Sequence, residues 1–353
     1  MKARLLFLLA ILGGLILAPK AGAAQAAPAG PAAGVPTILD VVVTDKADRP
    51  VTGLQAGDFK VLDNKNQRSI IGLRLVAGET AEADPPVEAI LLVDEVNTQF
   101  ETLARERKDI EDYLRQSGGH LPIPTSFVFL NETELKYQGQ PTRDTNVLLD
   151  NLEKNPNPQR SFQPQGGFQQ LVQMREKSLL ALNGLALKLD EKPGRKLVIW
   201  ISHGWQTFPS LSTQKSAKEM EGLFTYIVSL STLLRDAHIT VYNVDPYGAQ
   251  RDLAIAGNSY YQEYVKGVPS PKQADNGDLM LQVIAMQTGG KVLYGSNNIA
   301  KMIDQCIADA QAFYVLTYDA PHAAHANEYH EIQVQVNKPG LKARTRTGYY
   351  GQP

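Results

Sequence analysis

Hydrophobic positions change their period along this chain, and the changes divide it. From residue 37 to 77 short β-rich runs alternate with turn chemistry. Ile38–Val43 is followed by the polar Asp45–Pro50, and Phe59, Val61 and Ile70–Val76 continue the strand pattern. After a polar break at Gly78–Pro86, apolar runs of strand length begin to alternate with helical periods. The runs are Ala89–Val93, Ser126–Leu130, Leu197–Ile201, Ile239–Val244 and Val292–Tyr294. Between them Phe100, Leu103, Ile110 and Leu114 mark one helix face, and Leu171, Leu179, Leu182, Leu185 and Leu189 a second. Met220, Leu223, Phe224, Ile227, Leu230 and Leu234 mark a third, and a fourth helix stops at Thr288-Gly289-Gly290. Continuous apolar strands separated by helices predict a mostly parallel sheet covered on both faces. The fold expected over 87–310 is therefore a doubly wound α/β domain.

Beyond it the period returns to two. Phe313–Tyr318, Tyr329–Val336 and Leu341–Thr347 read as antiparallel strands. Neither the head (37–80) nor the tail (311–353) has enough surface to bury a core alone. They are expected to pair into one small β-sandwich-like subdomain into which the α/β domain is inserted.

The N-terminus carries a different pattern. Lys2 and Arg4 precede an uncharged Leu5–Leu17, then Pro19 and small residues that offer cleavage after Ala23 or Ala26. This is the layout of a secretory signal peptide over 1–26, with an apolar run shorter than the roughly 20 residues a membrane span needs. Residues 27–36, rich in Ala, Pro and Gly, read as a disordered tether. A secreted or periplasmic protein is expected, without a membrane span after cleavage. The one cysteine, Cys306, falls on the apolar face of a helical pattern over 299–310, so it reads as a buried thiol, and a lipid-anchored N-terminus is not expected. A net charge of −2 with acids and bases interspersed argues against a nucleic-acid partner.

Enzyme signatures are sparse. Ser202-His203-Gly204 ends an apolar strand, but no Gly-x-Ser-x-Gly elbow, His-Glu-x-x-His, paired-cysteine spacing or glycine-rich phosphate loop accompanies it. His322, His325 and His330 read as solvated loop histidines rather than zinc ligands. Asn131-Glu132-Thr133 is a glycosylation-type tripeptide with little weight by itself.

One strand end carries more. In Leu92-Val93-Asp94-Glu95-Val96-Asn97-Thr98 an aspartate closes a buried strand and small polar residues follow. This resembles the metal-ion-dependent adhesion site of von Willebrand factor A domains, Asp-x-Ser-x-Ser completed by a threonine and a further aspartate. Ser202-His203-Gly204 stands where such domains read Thr-Asp-Gly, and Gly166-Gly167-Phe168 where they often read Gly-Gly-Thr. Val51-Thr52-Gly53-Leu54, Asp58-Phe59, Val241–Pro246, Thr288–Gly290, Tyr314–Tyr318 and Arg346–Tyr350 extend the likeness over nearly the whole chain after the export signal. In that order they resemble the exported von Willebrand A-related family of acidobacteria.

The resemblance implies a binding module rather than an enzyme, with a protein partner. A hard cation such as Mg²⁺ wants about six oxygen ligands. Asp94 and Thr98 could supply two and Asn97 a carbonyl. Val96, Phe168 and His203 replace oxygen-bearing residues, and imidazole suits Mg²⁺ poorly. The site is expected to be degenerate, with no cofactor and with Asp94, Asn97, Thr98 and His203 as its rim; Asp94 or Asn97 is expected to cap the following helix. A Mg²⁺-dependent adhesion domain is the alternative, and a secreted hydrolase a weaker one. Two long segments leave the same sheet edge, 203–216 with Trp205 and Phe208, and 246–275 with Tyr247, Tyr260, Tyr261 and Tyr264. Long loops rich in Tyr and Trp are expected partner contacts, or lids packed over the sheet.

Overall fold

A computed structural model describes residues 34–77, 86–156, 167–205, 215–248 and 260–353. The signal peptide and most of the tether assigned from sequence lie outside these residues. The strands and helices run in the order β1 (Val35–Thr44), β2 (Phe59–Asp63), β3 (Asn66–Arg68), β4 (Ile70–Ala77), β5 (Val87–Asp94), α1 (Phe100–Gln116), β6 (His120–Leu130), β7 (Leu135–Asp144), α2 (Thr145–Glu153) and α3 (Gly167–Asp190). They continue with β8 (Arg195–Ile201), α4 (Ala217–Asp236), β9 (Ile239–Val244), α5 (Leu281–Gln287), β10 (Val292–Leu293), α6 (Ile299–Gln311), β11 (Ala312–Ala320), β12 (Glu328–Val336), β13 (Lys342–Arg344) and β14 (Gly348–Gly351).

The central sheet has the order β10-β9-β8-β5-β6-β7. All its pairs are parallel except β6 with β7. The order reverses at β5, as in a doubly wound sheet. Alternation along each buried strand sends side chains to two helical layers. Ile90, Leu92, Val198, Trp200 and Val241 face α3, α4 and α5. Leu91, Val93, Ile199, Ile201 and Tyr242 face α1, α2 and α6. Cys306 is fully buried in the second layer, and burial pushes its thiol well above the ordinary range.

Three elements differ from the sequence reading. β6 begins at His120, before the apolar run, because Leu121 and Ile123 alternate inward around Pro122 and Pro124. The prolines bring no N–H, and the pairing with β7 is irregular over that stretch. β7 and α2 have no strong apolar run to announce them. β7 is an edge strand with no buried residue, and α2 is started by Asp144, whose side chain accepts the N–H of Asn146 at 2.8 Å.

Head and tail strands do pair. One sheet has the order β13-β1-β11-β4 and the other β14-β12-β2-β3. They enclose Leu39, Val41, Val43, Phe59, Val61, Tyr314, Leu316, Tyr318, Ile332 and Val334. The Tyr314 hydroxyl accepts the N–H of Leu54 at 3.0 Å and donates to the carbonyl of Val51 at 3.1 Å. It thereby pins the turn in which Gly53 adopts a φ of +81°.

His330 corrects the sequence reading. It lies on β12 and is buried, where His322 and His325 are exposed. Its Nδ1 meets Oδ1 of the buried Asp63 at 2.9 Å, and its ring stacks on Tyr349 at 4.8 Å. The other Asp63 oxygen accepts the hydroxyls of Tyr318 and Tyr349. An inward position on an alternating strand, not its loop-like flank, decides the environment of His330.

Candidate functional site

Ligands of doubly wound sheets meet the carboxyl ends of the strands where the order reverses, which here means the ends of β5 and β8. Asp94 ends β5 and is fully buried. Its Oδ1 accepts the backbone N–H groups of Val96 at 3.0 Å and Asn97 at 2.9 Å. Its Oδ2 accepts the side-chain amide of Asn97 at 2.7 Å and the indole N–H of Trp200 at 2.8 Å. The carboxylate thus folds the 95–98 loop back on itself as an Asx turn. It does not cap α1, and neither does Asn97: the N-cap residue is Gln99, with no side-chain cap bond. Burial raises the pKa of Asp94, opposed by the bonds from Trp200, Asn97 and Ser202.

A hard cation fits this arrangement poorly. Four N–H donors occupy the Asp94 carboxylate, and Val96 brings no oxygen. The Thr98 hydroxyl and the Asn97 carbonyl oxygen are buried and unpaired, two neutral donors. Among the described residues no group of three or more His, Cys, Asp or Glu could hold a metal ion.

His203 is committed elsewhere. Its Nδ1 lies 2.7 Å from Oδ2 of Asp245, which directly follows the last residue of β9. The other Asp245 oxygen accepts the N–H of Tyr247, whose ring stands edge-on to His203 at 5.3 Å. Gln99, ahead of α1, donates its N–H to the Tyr247 hydroxyl at 3.3 Å. His203 and Asp245 therefore join the β8 and β9 loops, and Tyr247 ties both to α1. Ser202 is buried, and its Oγ accepts the N–H of Gly204.

No family model and no curated sequence matches the chain. Among solved structures it is similar to proximal thread matrix protein 1 from the mussel byssus, one structure of which has a zinc-occupied MIDAS motif. That likeness has 11% identity and a TM-score of 0.38, covering 70% of this chain and 50% of the mussel protein. It is also similar to the SpRpn10 VWA domain, with 12% identity, a TM-score of 0.29 and coverage of 63% and 96%. Human COPII-coat protein Sec24c gives 10% identity and a TM-score of 0.31, with coverage of 80% and 46%. The chain spans about half the length of the mussel proteins.

The aromatic candidates separate. Trp205 is buried, stands edge-on to Trp200 at 5.3 Å and donates its N–H to the Leu279 carbonyl at 2.7 Å. It is an anchor of the interior rather than a contact surface, because both its ring and its N–H are used by the fold. Tyr264 lies against Gly277, where a Cβ would come within 2.5 Å of its ring. Tyr261 and Tyr247 are half-buried. Phe208 and the side chain of Tyr260 lie outside the described residues. The described part of the second loop is a folded lid. Val268 is buried in it, and its N–H and carbonyl both bond the Tyr350 hydroxyl.

Sequence reasoning passed over three acids beside this edge. Asp245 closes an apolar strand as Asp94 does, a signal that could have found it. Glu95 is raised to about 7, first by burial, with Asp94 adding and Arg107 and Lys136 opposing. Glu106, one of the residues α1 buries, has both carboxyl oxygens unpaired, and burial raises it well above the ordinary range. Nothing local distinguishes Glu106 from the charged residues around it on α1.

Proposed function

We propose that this is an exported, non-enzymatic von Willebrand A-like binding module. It works in protein–protein contact at the cell envelope or exterior, and its metal-ion-dependent adhesion site is degenerate. The single observation that carries the reading is the saturation of Asp94 by N–H groups, including the Trp200 indole at 2.8 Å. An acid so occupied serves the loop it folds, not an incoming cation. The unexposed Ser202 supports the non-enzymatic part, since a nucleophile has to reach its substrate. Export rests on the N-terminal pattern. Among the described residues no helix is long and apolar enough to cross a membrane. Tyr247, Tyr261 and Tyr264, each half-buried, are the described tyrosines of the second loop that a partner could reach, in keeping with the use of tyrosine at interfaces.

The test is a pair of measurements on purified protein. Mg²⁺ or Mn²⁺ at millimolar concentration is expected to leave the melting temperature unchanged, and capture of an envelope protein is expected to survive chelation. A metal-dependent rise in melting temperature that Asp94→Ala abolishes would establish the metal-dependent adhesion reading instead.

A further inference from the structure

A second cleft lies at the opposite edge of the parallel sheet. It opens between the amino ends of β8 and β9 and the sandwich strands β1 and β14, with a volume of about 590 Å³. Four arginines line it, Arg195, Arg235, Arg344 and Arg346, against two acids, Asp40 and Asp236. Two of the arginines are already answered. Arg235 pairs with Asp236 at 2.9 Å, and Arg344 with Asp309 and the Gly289 carbonyl. Asp309 also takes Lys291, which in turn meets Asp48, so that network is neutral.

Arg195 and Arg346 remain. Arg195 is 3% exposed; it donates one N–H to the Asp309 carbonyl at 3.0 Å and lies over the Phe313 ring, while its Nε donates to nothing and stands 3.7 Å from Asp40. Among the described residues no hydrogen bond or ion pair is closed by the Arg346 guanidinium, and the carboxylates of Asp40 and Asp236 are the negative charges that act on it. Burial, with Arg235 adding, depresses its pKa to about 10 against the pull of Asp40 and Asp236. One positive charge therefore stands uncompensated in a partly desolvated cleft, a costly arrangement unless an anion completes it. Guanidinium forks match carboxylate and phosphate oxygens in pairs. Tyr349, Tyr350 and Ile239 supply apolar surface on the same walls.

We propose that this cleft binds a small organic anion, its carboxylate or phosphate group held by Arg346 and Arg195 and its apolar part set against the tyrosines. The site is built jointly by the sandwich and the α/β part, so an anion there would bridge the two. It is independent of the Asp94 edge.

Benzoate and phenyl phosphate are the probes, titrated into purified protein by calorimetry; comparing them distinguishes the two head groups. At least one should bind saturably, weaken with added salt, and lose roughly tenfold or more in affinity in Arg346→Gln. Arg115→Gln, which removes an exposed arginine paired with Glu111, should change nothing. Ile38→Glu offers a second variant, placing a carboxylate at an exposed position of the rim without touching the core; it should weaken binding as well. A binding role also predicts opposite signs: without probe, Arg346→Gln should melt no lower than the parent, since it removes an uncompensated charge. Failure of both probes to bind at millimolar concentration, or equal affinity in the parent and Arg346→Gln, overturns the proposal.

Discussion

Trp200 donates its indole N–H to Oδ2 of Asp94 across 2.8 Å, and the bond links neighbouring strands at the point where the sheet order reverses. Both groups are fully buried; the Trp200 N–H would lack a partner without Asp94, whereas Asp94 would keep the N–H groups of Val96 and Asn97. Trp200→Phe is expected to cost about 1–3 kcal/mol, through the loss of one hydrogen bond to a buried carboxylate. Because the smaller ring also loses packing, the decisive measurement is a double-mutant cycle with Asp94→Asn in urea denaturation. Additive effects would show that the bond contributes nothing of its own.

Glu95 makes stability depend on pH. Its pKa rises from 4.5 to about 7 in the folded chain, first because it is buried. An acid with a higher folded pKa holds its proton more tightly when folded. Stability should therefore fall as pH rises from 4.5 to about 7. Asp94 and Glu106 are raised as well and act in the same direction. Glu95→Gln should flatten the decline and recover about 1–3 kcal/mol at its upper end. An unchanged slope in chemical denaturation across that window would remove Glu95 from the account.

Gly290 follows α5 with no room for a side chain. A Cβ there would lie 1.8 Å from the carbonyl oxygen of Val241 on β9. The preceding Thr288 hydroxyl accepts the Val241 N–H at 2.9 Å, so Thr288 and Gly290 dock the end of the helix onto the strand from two sides. Gly290→Ala is expected to destabilise by about 1–3 kcal/mol through forced backbone movement. Gly57→Ala, at a position with open space around it, serves as the control for thermal melts.

Asp63 organises the polar centre of the sandwich, meeting His330 on one oxygen and Tyr318 and Tyr349 on the other. Asp63→Ala strands three buried groups together and should cost about 3–5 kcal/mol, the range for breaking a buried pair from one side. Hydrogen exchange should report the loss across β2 and β12, which pair directly. Protection unchanged in those strands would mean that apolar packing alone holds them.

Much of the fold was legible because apolar runs and helical periods are local. Ala89–Val93, Leu197–Ile201 and Ile239–Val244 are each continuous enough to declare a strand buried on both faces. β7 was not, since an edge strand with no fully buried residue needs no apolar period. At the candidate site, Asp94 could be found from its position after a buried strand. The donors that occupy it could not, for Trp200 reads as one more apolar residue in its run and lies far away in sequence. His203 was placed correctly at the strand end, yet its partner Asp245 arrives from another loop.

By itself, then, the sequence determined the continuous buried strands, the helices with a clear apolar face, and where the period changes along the chain. Tertiary structure alone decided what each polar group meets: Asp94 with Trp200, His330 with Asp63, Tyr314 with Leu54, and Arg195 with Asp40. The reason is physical. Burial pattern is written in residues a few positions apart, but a buried hydrogen bond or charge is satisfied by whatever the packing of distant strands brings within reach.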